Sequence, residues 1–168
     1  MSIRLRLRDT TWAQMHAELS RPHAHAAERV GFLTCGVAAS ADGGLLLVDS
    51  QWHSVDDTHY LVNPNVGACI GPAAFRAILQ FAYHHRVSIL HVHRHEHHGR
   101  PEFSTIDLTS LRQFVPDFWN VRPEFPHGAL VLSHDNATGL IWMPEVDGPT
   151  AIDRIDKVGV PLRRWERI

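Results

Sequence analysis

Residues 71–115 read GPAAFRAILQFAYHHRVSILHVHRHEHHGRPEFSTIDLTSLRQFV, and this stretch decides the predicted fold. Apolar residues recur at helical spacing after Gly71, which predicts an amphipathic helix that ends near Arg86. The apolar, β-branched residues 87–93 then predict a short buried strand. A polar loop follows, and the S-x-x-acid sequence that begins at Ser104 predicts the start of a second helix.

Strands are predicted on both sides of this unit. Residues 3–7 alternate apolar residues with arginines, which is typical of a strand with one wet face. A helix is predicted after Asp9, and Pro22 ends it. Further short apolar runs predict strands at residues 28–37, 45–48, 59–62, 127–133 and 140–143. The mixed order of helices and strands predicts the α+β class.

The composition limits the classes of protein that this chain can belong to. Its 168 residues and 19.0 kDa predict one domain. Hydrophobic residues make up 44% of the chain and charged residues 20%, which argues against disorder, collagen and coiled coil. A formal charge of −2 predicts no bulk attraction to nucleic acid or to an anionic membrane. Because no signal peptide or transmembrane segment is recognisable, we expect a cytoplasmic protein.

Two histidines at the end of the predicted strand indicate a metal site. Alternate residues of a strand lie on one face, so His91 and His93 project both imidazoles to the same side. Asp107 lies in the first turn of the next helix, from which its carboxylate can return to this place. Two histidines and one carboxylate leave the fourth position of a zinc ion open for water, as in catalytic zinc sites.

Two further polar residues fit the chemistry of such a centre. Glu28 begins an early predicted strand and is the candidate general acid/base, since a carboxylate beside the metal can carry a proton from water to a leaving amine. Ser104 is the candidate donor of a hydrogen bond to an oxyanion. Ser104 and Asp107 also have a second interpretation as a helix cap, which is compatible with a role in the site.

These residues resemble the motif of the JAB/MPN (JAMM) zinc metalloproteases. That motif has a glutamate on an early strand, then H-x-H at the end of a later strand, and then S-x-x-D after a loop. The matching stretches in this chain are ERVGFL from Glu28, HVH from His91 and STID from Ser104. The similarity covers about residues 1–145 and is greatest to the bacterial branch found beside ubiquitin-like proteins and their activating and conjugating enzymes.

The resemblance implies a fold and a function. The fold is a single JAB/MPN-like domain over residues 1–168, of the cytidine-deaminase-like type, with a curved, mostly antiparallel sheet flanked by helices. Residues 146–168 form a C-terminal extension of its core. The function is that of a zinc-dependent isopeptidase or peptidase that cleaves after the C-terminus of a ubiquitin-like protein, in deconjugation or precursor processing. Activating- and conjugating-enzyme-like proteins are the further partners that the resemblance implies.

The resemblance also assigns a role to each site residue. His91, His93 and Asp107 bind one zinc ion per chain. Glu28 is the general acid/base, and Ser104 supports the oxyanion.

The sequence departs from the family pattern at two points. The family has proline after the second histidine, where this chain has Arg94. The usual spacing of ten residues between the second histidine and the aspartate becomes thirteen between His93 and Asp107. The pair His93 and His95 would shorten that spacing to eleven, so His95 is an open alternative ligand. We expect His91 and His93, because an apolar strand leads directly into them.

Two other functions are open on the sequence alone. One is a catalytically silent MPN-like domain that binds or scaffolds a partner protein. The other is a peptidase of the same type that acts on a sulfur-carrier fusion. A complete set of ligands and acid/base residue distinguishes the enzymes from the scaffold, and the sequence contains that set.

Overall fold

A computed structural model describes residues 1–167 of the chain. Within this range the α-helices are α1 at Asp9–Leu19, α2 at Pro72–His84 and α3 at Thr105–Phe114. α2 begins with proline, whose fixed φ and missing N–H suit the first helical position. α3 begins after a capping box, and Val115–Asn120 continues it as a 3₁₀ turn.

The strands of the described range belong to one sheet. Their bounds are β1 Ile3–Arg8, β2 Val30–Ala39, β3 Leu45–Ser54, β4 Ser88–Arg94, β5 His127–Leu132, β6 Ala137–Trp142, β7 Pro149–Ala151, β8 Arg154–Val158 and β9 Arg163–Glu166. They are ordered β7-β6-β5-β4-β2-β3-β1-β8-β9. The pairs β1–β3, β1–β8 and β4–β5 are parallel, and the other five pairs are antiparallel. The sheet is therefore mixed, and the predicted α+β class is confirmed.

The sheet curls, so that both of its ends contribute to one apolar core. Ile3 of β1 and Ile155 of β8 belong to the same buried cluster as Ile141 of β6. The backbone N–H of Asp153 donates to the carbonyl of Ile3 (2.9 Å), which ties the chain after β7 to β1. α1 adds Met15, which is fully buried, to this cluster.

A second apolar core holds α2 and α3 against the other side of the sheet. Ile78 of α2 and Leu111 of α3 pack in one cluster with Phe32 of β2 and Ile89 of β4. Each such buried side chain contributes roughly 1.5–3 kcal/mol to folding through removal of apolar surface from water. This packing brings the first turn of α3 to the end of β4, where the histidine-rich segment begins.

Two parts of the chain differ from simple sequence expectations. The first is the C-terminal extension, whose described residues 146–167 supply β7, β8 and β9. In the sheet, β8 lies between β1 and β9. The predicted strand at residues 59–62 is wrong, because Asp56 caps a 3₁₀ turn there and Tyr60 makes only an isolated bridge to Ile70. Across residues 1–167, every helix is too short or too polar to span a bilayer.

Candidate metal centre

Three histidines occupy alternate positions at the end of β4. His91 and His93 lie in the strand. His95 continues the extended chain, because its backbone N–H donates to the carbonyl of Leu132 (2.8 Å). Alternation therefore turns all three imidazoles to one side, with ring centroids 6.0 Å apart for the first two and 5.0 Å apart for the last two.

Asp107 reaches the same place from the first turn of α3. The Oγ of Ser104, the N-cap residue, accepts a hydrogen bond from the backbone N–H of Asp107 (3.1 Å). In return, the backbone N–H of Ser104 donates to Oδ2 of Asp107 (2.7 Å), which completes a capping box. These two bonds fix the carboxylate at the helix start, as the S-x-x-D sequence predicts.

The side chains of His93, His95 and Asp107 converge on one point. The two Nε2 atoms lie 3.2 Å apart. Oδ2 of Asp107 lies 3.5 Å from Nε2 of His93 and 3.9 Å from Nε2 of His95. Donors at zinc-ligand distance around a tetrahedral ion stand roughly 3.3 Å from one another, so these spacings fit such an ion. Among the described residues, this is the group of metal-ligating side chains that could hold an ion.

The protonation states of Asp107 and His95 suit metal binding. Burial acts to raise the pKa of Asp107, but its contacts with His93 and Ser104 outweigh burial and hold that pKa well below its usual range. Burial and the neighbouring His93 lower the pKa of His95, while the Glu28 and Asp107 carboxylates partly offset them. An ionised carboxylate and neutral imidazoles are the forms that coordinate metals.

His91 lies outside this group, which differs from the ligand set expected from the sequence. Its ring is placed deeper along β4 and packs against Phe114, with 5.1 Å between ring centroids. The carboxylate of Asp107 lies beside His93 and His95. These two histidines are the alternative pair, with eleven residues between His95 and Asp107. The physical reason is that the extended chain continues beyond His93, so the last two alternating histidines are the ones that face α3.

Glu28 lies just before β2 and lines a cleft of about 380 Å³ together with His93 and Asp107. Its backbone N–H donates to the carbonyl of Gly67 (2.9 Å). A Cβ at position 67 would stand 2.7 Å from Cδ and Oε2 of Glu28, so this side chain rests directly on the backbone of Gly67. No sequence pattern predicts this role of Gly67, because the contact joins segments far apart in the chain.

Ser104 is exposed at the start of α3. Its Oγ already accepts the N–H of Asp107, so the hydroxyl hydrogen is available to a further acceptor. The capping interpretation of Ser104 is thus confirmed. Its contribution to an oxyanion site stays a prediction.

Arg94 lies between His93 and His95 in sequence, and its side chain points away from their rings. Its buried guanidinium donates to Oγ of Ser20, at the end of α1 (2.6 Å), and to the carboxylate of Glu96. These bonds tie the segment that carries His95 to α1. The sequence marked Arg94 only as a departure from the family pattern, and its structural role depends on the distant α1.

The site combines two imidazoles, one carboxylate ligand and a second carboxylate that faces the same cleft. Such a set can bind a metal ion and can move a proton beside it. No protein-family model and no curated protein sequence matches this chain. The functional assignment therefore rests on the residues and the geometry of this site.

Proposed function

We propose that the protein is a zinc-dependent peptidase or isopeptidase of the JAB/MPN type. The observation that carries the proposal is the convergence of His93, His95 and Asp107. Two of these residues, His93 and Asp107, line the same cleft as Glu28. Two histidines and one carboxylate form the protein ligands of hydrolytic zinc sites, in which the fourth position is open. With His95 as the second histidine, the spacing to Asp107 is also nearer to the family pattern.

The donor set favours zinc over hard cations such as magnesium or calcium. Two of its three donors are imidazole nitrogens, whereas hard cations prefer oxygen ligands throughout. A zinc ion held there would polarise a substrate carbonyl and lower the pKa of water to about 7. Asp107 adds a negative charge that its capping box holds in place.

Glu28 and Ser104 act on the substrate in this proposal. The Glu28 carboxylate accepts a proton from the attacking water as the water oxygen bonds to the carbonyl carbon. When the C–N bond breaks, Glu28 passes that proton to the amine nitrogen and returns to its ionised form. The Ser104 hydroxyl donates a hydrogen bond to the oxyanion between these two steps.

The same proposal includes the substrate and the location. The substrate is the C-terminal tail of a ubiquitin-like protein, joined to the amine of a target protein or to a precursor extension. Proteins that resemble activating and conjugating enzymes are the further partners, and the protein acts in the cytoplasm. The support for this part is the resemblance carried by Glu28, the paired histidines and the sequence STID from Ser104.

Metal content tests the site. The protein, purified without a tag, is expected to contain one zinc ion per chain by inductively coupled plasma mass spectrometry. His95→Phe should lose the zinc, because it removes one of three ligands, whereas the matched variant His91→Phe should keep it. Retention of zinc by His95→Phe with loss in His91→Phe would contradict the ligand set derived from the structure.

Cleavage tests the activity. A ubiquitin-like protein from the same genome, extended beyond its C-terminal glycine, serves as substrate in a gel assay. We expect cleavage at the glycine by the zinc-loaded protein, and a loss of at least about 100-fold in Glu28→Gln with its zinc retained. If no member of a panel of such fusions is cleaved by zinc-loaded protein, the peptidase proposal fails.

A further inference from the structure

The wall of the cleft beside the metal centre has polar and apolar parts. Glu28, His93 and Asp107 belong to its polar part. The apolar wall comes mainly from the loop before α2, from α2 and from α3. Its apolar side chains include Val66, Ile70, Phe75, Ile106, Leu111 and Phe114.

The cleft is large for a site that has to admit only a glycine. Its volume of about 380 Å³ lies in the range of clefts that enclose most of a small organic ligand, about 300–1,000 Å³. A tail that ended in glycine would leave the apolar wall in contact with water. A large apolar side chain would remove that wall from water and gain binding free energy in proportion to the area covered.

His91 adds a second reason to regard the cleft as a binding pocket. It shares the face of β4 with the ligand His93 but is not part of the metal group. Its ring packs edge-on against Phe114, with centroids 5.1 Å apart, and its Nδ1 is buried with no hydrogen-bond partner. An imidazole in this position gives the pocket an aromatic inner surface beside the metal ligands.

We propose that this cleft is a specificity pocket for a leucine, methionine or phenylalanine side chain that directly follows the scissile bond, on the other side of the bond from the glycine of the tail. This inference rests on the proposed peptidase function and narrows its substrate class. The metal group and Glu28 act on the peptide bond, and the wall formed by Val66, Phe75 and Phe114 selects the neighbouring side chain. The preferred substrate is therefore a precursor whose extension begins with a bulky apolar residue, directly after the glycine at which it is cleaved.

Binding of small probes tests the pocket without any need for activity. N-acetyl-leucinamide and N-acetyl-glycinamide are titrated separately into the zinc-loaded protein, and the chemical shifts of the backbone amides of residues 63–70 and of α3 are followed by NMR. We expect the leucine probe to bind at least about 10-fold more tightly than the glycine probe, as is usual when an apolar pocket is filled rather than left empty.

A matched pair of variants tests whether the leucine probe binds in the cleft. Val66→Trp fills the cleft from its loop and should abolish the leucine preference. Val62→Trp introduces the same side chain nearby, at a residue that is 77% exposed and does not line the cleft, and should leave the preference intact. Equal binding of both probes, or an unchanged preference in Val66→Trp, would overturn the proposal.

Cleavage assays separate this inference from the proposed function. Matched peptides keep glycine before the scissile bond and carry leucine or glycine directly after it, and kcat/KM is measured for each. A preference of about 10-fold or more for leucine after the bond, lost in Val66→Trp, supports the pocket. Cleavage without such a preference overturns the proposed pocket but not the proposed peptidase function. Failure to cleave any peptide or fusion refutes the peptidase function. The probe titration then tests the pocket independently.

Discussion

Acidification should destabilise the folded protein through His127, the first residue of β5. The side chain of His127 is fully buried. Its Nδ1 accepts a hydrogen bond from the backbone N–H of Ile89 (3.0 Å), so Nε2 carries the proton and donates it to the carbonyl of Arg122 (3.0 Å). Both ring nitrogens are therefore satisfied in the neutral form, and a second proton would break the bond from Ile89.

The size of this effect follows from the pKa of the imidazole. Burial lowers the pKa of His127 from 6.5 to about 4, although the Arg122 carbonyl and the Glu124 carboxylate partly offset burial. The unfolded chain thus binds a proton at this residue below about pH 6.5, whereas the folded chain does so only below about pH 4. At about 1.4 kcal/mol for each pKa unit, the folded state loses about 3 kcal/mol of stability as pH falls through this window.

Urea denaturation at several pH values between 7 and 4 measures this loss. The matched variant is His127→Gln, because a glutamine offers an acceptor to Ile89 and a donor to Arg122 and does not titrate. Both proteins are studied in the presence of a chelator, so that protonation of metal ligands is the same in each. We expect the wild type to lose about 3 kcal/mol more than the variant over this window. Parallel stability curves for the two proteins would refute the reasoning.

Three further variants test the surroundings of the metal centre. Gly67→Ala should lower kcat, because the new Cβ, 2.7 Å from Cδ and Oε2 of Glu28, displaces that carboxylate. Zinc content and the midpoint of thermal unfolding should change little. An unchanged kcat would mean that the position of Glu28 is not critical. Ser104→Ala should cost about 1 kcal/mol in urea denaturation through loss of the helix cap, and Ser104→Thr should restore most of it. Arg94→Met should weaken zinc affinity by about 10-fold in a chelator competition, since the buried guanidinium holds the ligand-bearing segment. The matched change Arg6→Met, at an exposed arginine of β1, should leave zinc affinity unchanged.

Local signals predicted four elements from the sequence, because each signal acts over a few residues. They are the start and stop residues of α1, the amphipathic spacing of α2, the apolar β-branched run of β4 and the S-x-x-acid sequence before α3. The sequence STID from Ser104 likewise predicted the cap and the place of Asp107, since both hydrogen bonds of the capping box join residues three apart. The strand predicted from Glu28 begins instead at Val30, which leaves Glu28 in the loop where it meets Gly67. Glu28 and Gly67 are far apart in the chain, so no local sequence pattern predicts their contact.

By itself, the sequence determined that histidines at alternate positions on one strand would face a helix with an aspartate in its first turn. Alternation, however, gives His91, His93 and His95 the same face, so it cannot choose between the two adjacent pairs. Only the tertiary structure decided the choice, because the packing of α3 on the sheet sets how far along β4 the carboxylate of Asp107 arrives. The parallel pairing of β8 with β1 was likewise decided only by the tertiary structure. It depends on the curl of the whole sheet and on contacts between residues more than a hundred positions apart.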